Sequence, residues 1–142
     1  MDIILICRQA EEDSVIGNVA LALEARRAGA DVGIIFTEEA LAALAGESFN
    51  WSPLFRNRDA RIKISRNSTA MGVEVSDFKD NRWTDLHRLL AQASGAGVRL
   101  IACPIWSKIL AVDGRLPAII TSMESAAMLT ELKEAKTVIG GF

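Results

Sequence analysis

The chain has 142 residues, of which 50% are hydrophobic and 24% are charged, and its formal net charge at pH 7 is -2. This length and composition predict one soluble globular domain, and the charge offers no attraction to nucleic acid or to an anionic membrane surface. No apolar run approaches the roughly 18 residues that a membrane-spanning helix needs, so no membrane association is expected.

Cysteine and histidine are scarce, with two cysteines and one histidine in the chain. Two cysteines make no disulfide framework, and the acidic residue Asp2 stands where a signal peptide would carry positive charge. We therefore expect a cytoplasmic protein in a reducing compartment. A zinc site of the usual composition would need ligands from a second chain, so no metal is expected.

The first part of the chain predicts alternating strands and helices. Residues 2–7 are almost continuously apolar, which predicts a strand covered on both faces. The acid-rich segment 11–14 ends in a candidate serine cap and predicts the start of a helix. Residues 32–36 predict a second strand, and Thr37 is expected to cap a short helix that ends at Gly46. Short connections between these elements predict a parallel sheet with right-handed crossovers.

Residues 47–82 interrupt this alternation and contain aromatic residues and several arginines. The segments 61–65 and 71–75 alternate weakly between apolar and polar residues, which predicts a β-hairpin around residues 67–69. A structureless segment of this length is uncommon inside a compact domain. We therefore interpret residues 47–82 as an irregular insertion that covers a sheet edge, a pocket or a subunit contact.

Regular patterning returns with Thr84-Asp85, which predicts the start of a helix. Residues 98–103 follow as a short apolar run behind two glycines, which is typical of a buried strand. Pro104 then predicts a helix start, because the N–H that proline lacks would have no hydrogen-bond partner at the first helical position. Asp113-Gly114 is expected to end this helix.

The last part of the chain predicts two more strands and a helix. Residues 116–120 fit a brief fourth strand, and Thr121 and Glu124 have the spacing of a capping box that opens a helix. Residues 137–142 predict a last strand. The whole chain, residues 1–142, is thus expected to form one domain around a mostly parallel five-stranded sheet.

Cys103 is the residue whose local setting suggests chemistry, because a predicted strand ends and a predicted helix begins there. The free N–H groups and the positive dipole end of a helix favour an anion and lower the pKa of a thiol. Lys108 adds positive charge nearby, and Ser107 offers a hydrogen bond. The alternative is a small buried residue at the end of an apolar strand, where free cysteines are common.

Cys7 is the second cysteine of interest, because it ends the first predicted strand. In a parallel sheet the carboxyl ends of the strands share one edge, so Cys7, Thr37, Cys103 and Thr121 are expected there together. One hypothesis is that Cys7 is a resolving partner for Cys103 in a two-thiol redox device, although its position favours the alternative. The alternative is an inert core cysteine at the end of a buried strand.

Four segments, in their order and spacing, resemble the DsrE/DsrF-like family of sulfur-relay and YchN-like proteins. They are IILICRQ, ALALEARRAGADVGIIFT, GAGVRLIACPIWSKIL and SMESAAMLTELKEAKTVIGGF, and the resemblance covers residues 2–46 and 84–142. It implies a flavodoxin-like, three-layer α/β/α sandwich and a homo-oligomer, either a dimer, a trimer or a hexamer. In the sulfur-relay members, the cysteine at the position of Cys103 carries a persulfide. The chain departs from the family in residues 47–82 and in the Pro-Ile-Trp after Cys103.

These observations predict a sulfur-transfer protein in which Cys103 accepts sulfane sulfur and passes it to a partner protein. Such a sulfurtransferase-like carrier needs no metal and no organic cofactor. The alternative is a non-catalytic oligomeric binding module of the same fold that holds a small anion or a partner protein, and a reactive Cys103 separates the two. A flavodoxin-like nucleotide binder is a third hypothesis, but the turn at residues 8–12 is acidic and lacks glycine, which opposes phosphate binding.

Overall fold

Four strands alternate with helices in residues 1–46, 48–75 and 86–140, the ranges that the computed structural model describes. In chain order the elements are β1 (Ile3–Cys7), α1 (Glu12–Arg27), β2 (Val32–Phe36), α2 (Glu38–Leu44), α3 (Arg58–Ala70), α4 (Leu86–Gly95), β3 (Arg99–Ala102), α5 (Pro104–Ile109), α6 (Ser125–Glu134) and β4 (Thr137–Gly140). A single 3-10 turn, Pro53–Phe55, precedes α3. No described helix has both the length and the apolar character needed to cross a membrane.

The four strands are parallel and lie in the order β3-β2-β1-β4. The chain passes from β1 to β2 and on to β3 in one direction, and then returns across the sheet to place β4 on the free side of β1. Because crossovers between parallel strands are right-handed, the helices before the return cover one face and α6 covers the other. The fold is thus an α/β sandwich with helices on both faces, consistent with a flavodoxin-like arrangement.

Alternate side chains of the strands enter two separate hydrophobic clusters, as the two-residue period of a strand requires. The larger cluster joins Leu5, Ile34 and Leu100 to the inner faces of α1, α2 and α4. The smaller one, which we call the α6-side cluster, consists of Ile4, Ile35, Ile101, Cys103 and Met128. Met128 is the buried residue of α6, so this helix covers its face of the sheet with a thin apolar contact.

The predicted strand at residues 116–120 is wrong, and the sheet has four strands rather than five among the described residues. This segment forms bends and turns, in which the Ile120 N–H donates to the Pro117 carbonyl at 3.0 Å. Pro117 has no N–H to offer a neighbouring strand, which opposes regular pairing here. Thr121 instead forms an isolated bridge to β3, because its N–H donates to the Leu100 carbonyl at 2.8 Å.

The predicted capping box of Thr121 and Glu124 is also wrong. α6 begins at Ser125 with Glu124 in the N-cap position, and no side chain caps it. The backbone of Thr121 pairs with β3 instead, which places this residue too far from the helix start to cap it. The last predicted strand forms as β4, and residues 141–142 lie outside the described ranges.

The predicted hairpin around residues 67–69 is wrong, because α3 occupies this part of the chain. Asn57 caps the helix, since its Oδ1 accepts a hydrogen bond from the Ala60 N–H at 2.8 Å. Weak alternation over a few residues fits a helix as well as a strand. Here the asparagine cap favours the helix. Within the predicted insertion, residues 47 and 76–82 lie outside the described ranges, as does the predicted helix start at Thr84-Asp85.

The first two helices begin near the predicted positions, with different caps. Glu11 rather than a serine occupies the N-cap position of α1, and the Ser14 hydroxyl donates to Gln9 Oε1 at 2.9 Å. Acidic residues fill the first turn of α1 and arginines fill its last turn, which stabilises the helix dipole. Thr37 occupies the predicted N-cap position of α2, although its side chain accepts no capping hydrogen bond.

Candidate functional site

The carboxyl ends of β1, β2 and β3 meet at one edge of the sheet, and Cys7, Thr37 and Cys103 lie there as predicted. The Thr37 N–H donates to the Cys7 carbonyl at 3.0 Å, and the Cys103 N–H donates to the Phe36 carbonyl at 2.9 Å. Cys103 occupies the N-cap position of α5, and its carbonyl accepts from the Ser107 N–H at 2.9 Å. Backbone hydrogen bonds to β2 and α5 therefore fix Cys103 at the junction of strand and helix.

The side chain of Cys103 lies under α6 and is 7% exposed. Its cluster neighbours, defined above, are aliphatic side chains and Met128, and Trp106 and Met123 pack against the same cluster. The thiol is therefore surrounded by apolar groups on the sheet side. Only a small fraction of the residue is open to solvent.

Cys7 lies in a different environment from Cys103. It is fully buried in the larger cluster, on the opposite face of the sheet, and β2 separates its strand from β3. Burial raises the pKa of the Cys7 thiol to about 12, against a smaller lowering by a backbone hydrogen bond from Gln9. The structure thus brings the two cysteines to the same edge but not to each other, and both thiols are free.

A cavity of about 220 Å³ opens beside Cys103, between α5 and the segment that leads into α6. Its floor is formed by three buried residues, Ala102, Pro104 and Ser107. Two of these are the chain neighbours of Cys103. The remaining lining residues stand higher and are Lys108, Asp113, Ser122, Met123 and Glu124. Four of them are exposed, so the cavity has a buried floor and a polar rim.

The two residues predicted to support Cys103 both line this cavity. Ser107 is 5% exposed, and its hydroxyl makes no hydrogen bond to any residue that the structure describes. Lys108 is exposed and forms no ion pair within the same ranges. The structure therefore places Ser107 and Lys108 together at the cavity beside Cys103.

Asp113 and Glu124 are cavity residues that the sequence analysis assigned to other tasks, the end of one helix and the cap of the next. Neither carboxylate forms an ion pair in the described part of the chain. The sequence offers little to identify them as site residues, because each lies in a connection directly beside a helix end. Among the described residues, no three His, Cys, Asp or Glu side chains are arranged to hold a metal ion, and His87 is exposed on α4.

Comparison with known proteins supports the fold. No family model matches the chain, and no curated protein matches it. The crystal structure of the ychN protein from E. coli is similar to this chain, with a TM-score of 0.55 and 12% sequence identity over 99% of each chain. At this identity the similarity concerns the fold alone, and it agrees with the DsrE/DsrF-like arrangement that the sequence resemblance implies.

Proposed function

We propose that the chain is a sulfur carrier of the DsrE/DsrF-like type, in which Cys103 accepts sulfane sulfur and passes it to a partner protein. The observation that carries this proposal is the position of Cys103 between Ala102 and Pro104, two residues on the floor of the cavity. Cys103 is also the less buried of the two thiols. The proposal places the carrier in a reducing, cytoplasmic compartment, because it needs a free thiol.

The proposed reaction moves one sulfur atom without net oxidation. The Cys103 thiol loses its proton to solvent, and the resulting thiolate attacks the outer sulfur of a donor persulfide, R–S–SH. The donor S–S bond breaks, its electron pair leaves with R–S⁻, and Cys103 becomes a persulfide. The same exchange with an acceptor thiolate returns Cys103 to its thiolate form. In this scheme the ammonium of Lys108 supplies positive charge at the rim of the cavity through which the donor approaches.

Met123 governs access in this proposal. It lines the cavity and also packs against the α6-side cluster that contains Cys103. Methionine has three rotatable bonds and adapts its shape at small cost, so its displacement would open a path from the cavity to the thiol. The burial of Cys103 thus protects a bound persulfide from water between the two transfers, as a sulfur carrier requires.

The experiment is intact-mass spectrometry after exposure to polysulfide, on wild type, Cys103→Ser and Cys7→Ser. We expect wild type and Cys7→Ser to gain one sulfur atom that a reductant removes, and Cys103→Ser to gain none. Cys7→Ser is the matched control, because it removes the other thiol. A sulfur adduct that persists in Cys103→Ser, or a wild-type protein that gains no sulfur, would contradict the proposal.

A non-catalytic binding module is the second candidate, and the mixed charge of the cavity rim favours it. Lys108, Asp113 and Glu124 offer both signs of charge to a ligand, and none of the three is engaged in an ion pair within the described ranges. This candidate predicts a Cys103 that takes up no sulfur and reacts with a thiol reagent only after unfolding. The same mass measurement therefore separates the two functions.

We also propose that the chain forms a homo-oligomer through α5 and α6, which pack against each other. Ile105 and Ile109 project from the outer face of α5 and Leu129 from α6, and all three are exposed. Ile109→Glu is expected to lower the molar mass measured by light scattering to that of a monomer, because a carboxylate would be buried in the interface. Leu54→Glu, at an exposed leucine in the 3-10 turn, should leave the mass unchanged. An unchanged oligomer in Ile109→Glu would contradict this interface.

A further inference from the structure

We propose that the cavity beside Cys103 binds a small zwitterion of the α-amino acid class, which carries one ammonium and one carboxylate. This goes beyond the proposed function and does not depend on sulfur transfer, because the Cys103 side chain is not part of the cavity lining. Three features of the cavity support it: a hydroxyl that is open to the cavity, charges of both signs, and a small volume with apolar walls.

The hydroxyl that is open to the cavity belongs to Ser107. Ser107 lies on the floor of the cavity, and its hydroxyl makes no hydrogen bond to a described residue. Ser107 Oγ is not one of the described side-chain atoms that are both fully buried and unpaired, so it is open to the cavity. The backbone of Ser107 is engaged, since its N–H donates to Cys103 and its carbonyl accepts from Val112 N–H at 3.1 Å. The hydroxyl therefore remains available to a ligand in the cavity.

The charges on the rim are arranged for a molecule that carries both signs. Lys108 stands at the end of α5, Asp113 follows in the next turn, and Glu124 precedes α6. Elsewhere on the surface, charged residues do pair, as Arg8 does with Glu38 at 3.1 Å. At the cavity, Lys108 pairs with neither carboxylate.

These charges oppose a ligand that carries only one sign. Two carboxylates repel a simple anion, and the ammonium of Lys108 repels a simple cation. A zwitterion satisfies both, with its carboxylate on Lys108 and Ser107 and its ammonium between Asp113 and Glu124. Each contact is then a charge-assisted hydrogen bond, the stronger kind. The charges on the rim thus favour a ligand that carries both signs over a ligand that carries only one.

The size of the cavity and its apolar walls limit the rest of the ligand. Its volume of about 220 Å³ lies below the roughly 300–1,000 Å³ of sites for drug-sized molecules. Ala102, Pro104 and Met123 supply the apolar part of the lining. This volume fits a free amino acid with a short apolar or sulfur-containing side chain.

The experiment is a titration of the Cys103→Ser protein with L-alanine, followed by calorimetry and by two-dimensional NMR. We expect saturable binding, with shifted resonances at Ser107, Lys108 and Met123. N-acetyl-L-alanine lacks the ammonium and L-alanine methyl ester lacks the carboxylate, so each should bind about tenfold more weakly or worse. Because this variant cannot carry sulfur on residue 103, the result is independent of the sulfur-uptake experiment.

Substitutions in the protein test the same ligand contacts. Ser107→Ala and Lys108→Met should each weaken L-alanine binding by about fivefold or more, since each removes one partner of the ligand carboxylate. Lys133→Met is the matched control, because Lys133 is exposed on α6 and does not line the cavity. Thermal unfolding of each variant checks that it is folded. Equal binding of all three alanine compounds, no saturable binding, or equal losses in Lys108→Met and Lys133→Met would overturn the proposal.

Discussion

Cys7 is expected to react with a thiol reagent at pH 8 about a thousandfold more slowly in the folded protein than in the unfolded chain. The reacting species is the thiolate, and burial raises the pKa of Cys7 from its ordinary value of 9.0 to about 12. Each pKa unit is a tenfold change in the ratio of thiolate to thiol, so three units give the factor of about a thousand. Complete burial of the side chain slows the reaction further.

The measurement uses the Cys103→Ser variant, in which Cys7 is the remaining thiol, with the unfolded chain in denaturant as reference. The pH dependence provides a second criterion. An ordinary thiol is largely ionised above pH 9, and its rate levels off there. The folded Cys7 should instead gain about tenfold in rate per pH unit between pH 8 and 10, because its pKa lies above this window. A rate that levels off near pH 9 would show that Cys7 is exposed to solvent in the folded state.

Protection of Cys7 bears directly on the redox hypothesis. A resolving cysteine must be a thiolate near its partner, and Cys7 satisfies neither condition in this structure, since it lies on the opposite face of the sheet from Cys103. Cys103 therefore works without an intramolecular resolving thiol in the proposed sulfur carrier. In that proposal, the acceptor of sulfur from the Cys103 persulfide lies outside the chain.

The sequence predicted the order of the main elements well, for a physical reason. Strands buried on both faces appear as nearly continuous apolar runs, as in residues 2–7 and 32–36, and their short length and β-branched residues favour a strand over a helix. The junction at Cys103 was also predictable, because Pro104 is tolerated at the first position of a helix and disfavoured in a strand. Patterns that reflect mainly burial or the backbone constraint of proline therefore predicted the elements correctly.

The failed predictions rest on short patterns that several structures satisfy. Residues 61–65 alternate weakly, and helix α3 forms there because Asn57 caps its first turn. Thr121 and Glu124 have the right spacing for a capping box, but the backbone of Thr121 is taken up by pairing with β3. Such competition between local and tertiary hydrogen bonds is decided by the three-dimensional arrangement.

The face on which each thiol lies depends on the strand order, which local patterns do not encode. Cys7 and Cys103 both end apolar strands, and the sequence predicts the same sheet edge for both. The return of the chain from β3 across the sheet to β4 places α6 on the second face, and this helix covers Cys103. The cavity has the same origin, because Asp113 and Glu124 meet only when α6 is placed beside α5.

Phe36→Ala is expected to lower the free energy of unfolding by about 3–5 kcal/mol, the usual cost of removing a buried aromatic ring. Phe36 is fully buried in the larger cluster, at the carboxyl end of the inner strand β2, and it is the largest of the fully buried side chains among the described residues. Truncation leaves a cavity that the surrounding strands and helices cannot fill. For a chain of this size the melting temperature should fall by about 10 °C or more.

Phe55→Ala is the matched control, because Phe55 lies in the 3-10 turn before α3 and is only partly buried. The same ring is removed, but much of its surface already contacts water, so we expect a loss of about 1 kcal/mol or less. Denaturant unfolding followed by circular dichroism measures both variants. Phe36→Ala keeps the backbone carbonyl of residue 36, which still accepts the hydrogen bond from the Cys103 N–H. Equal losses for the two variants would show that the larger cluster is not the core of the fold.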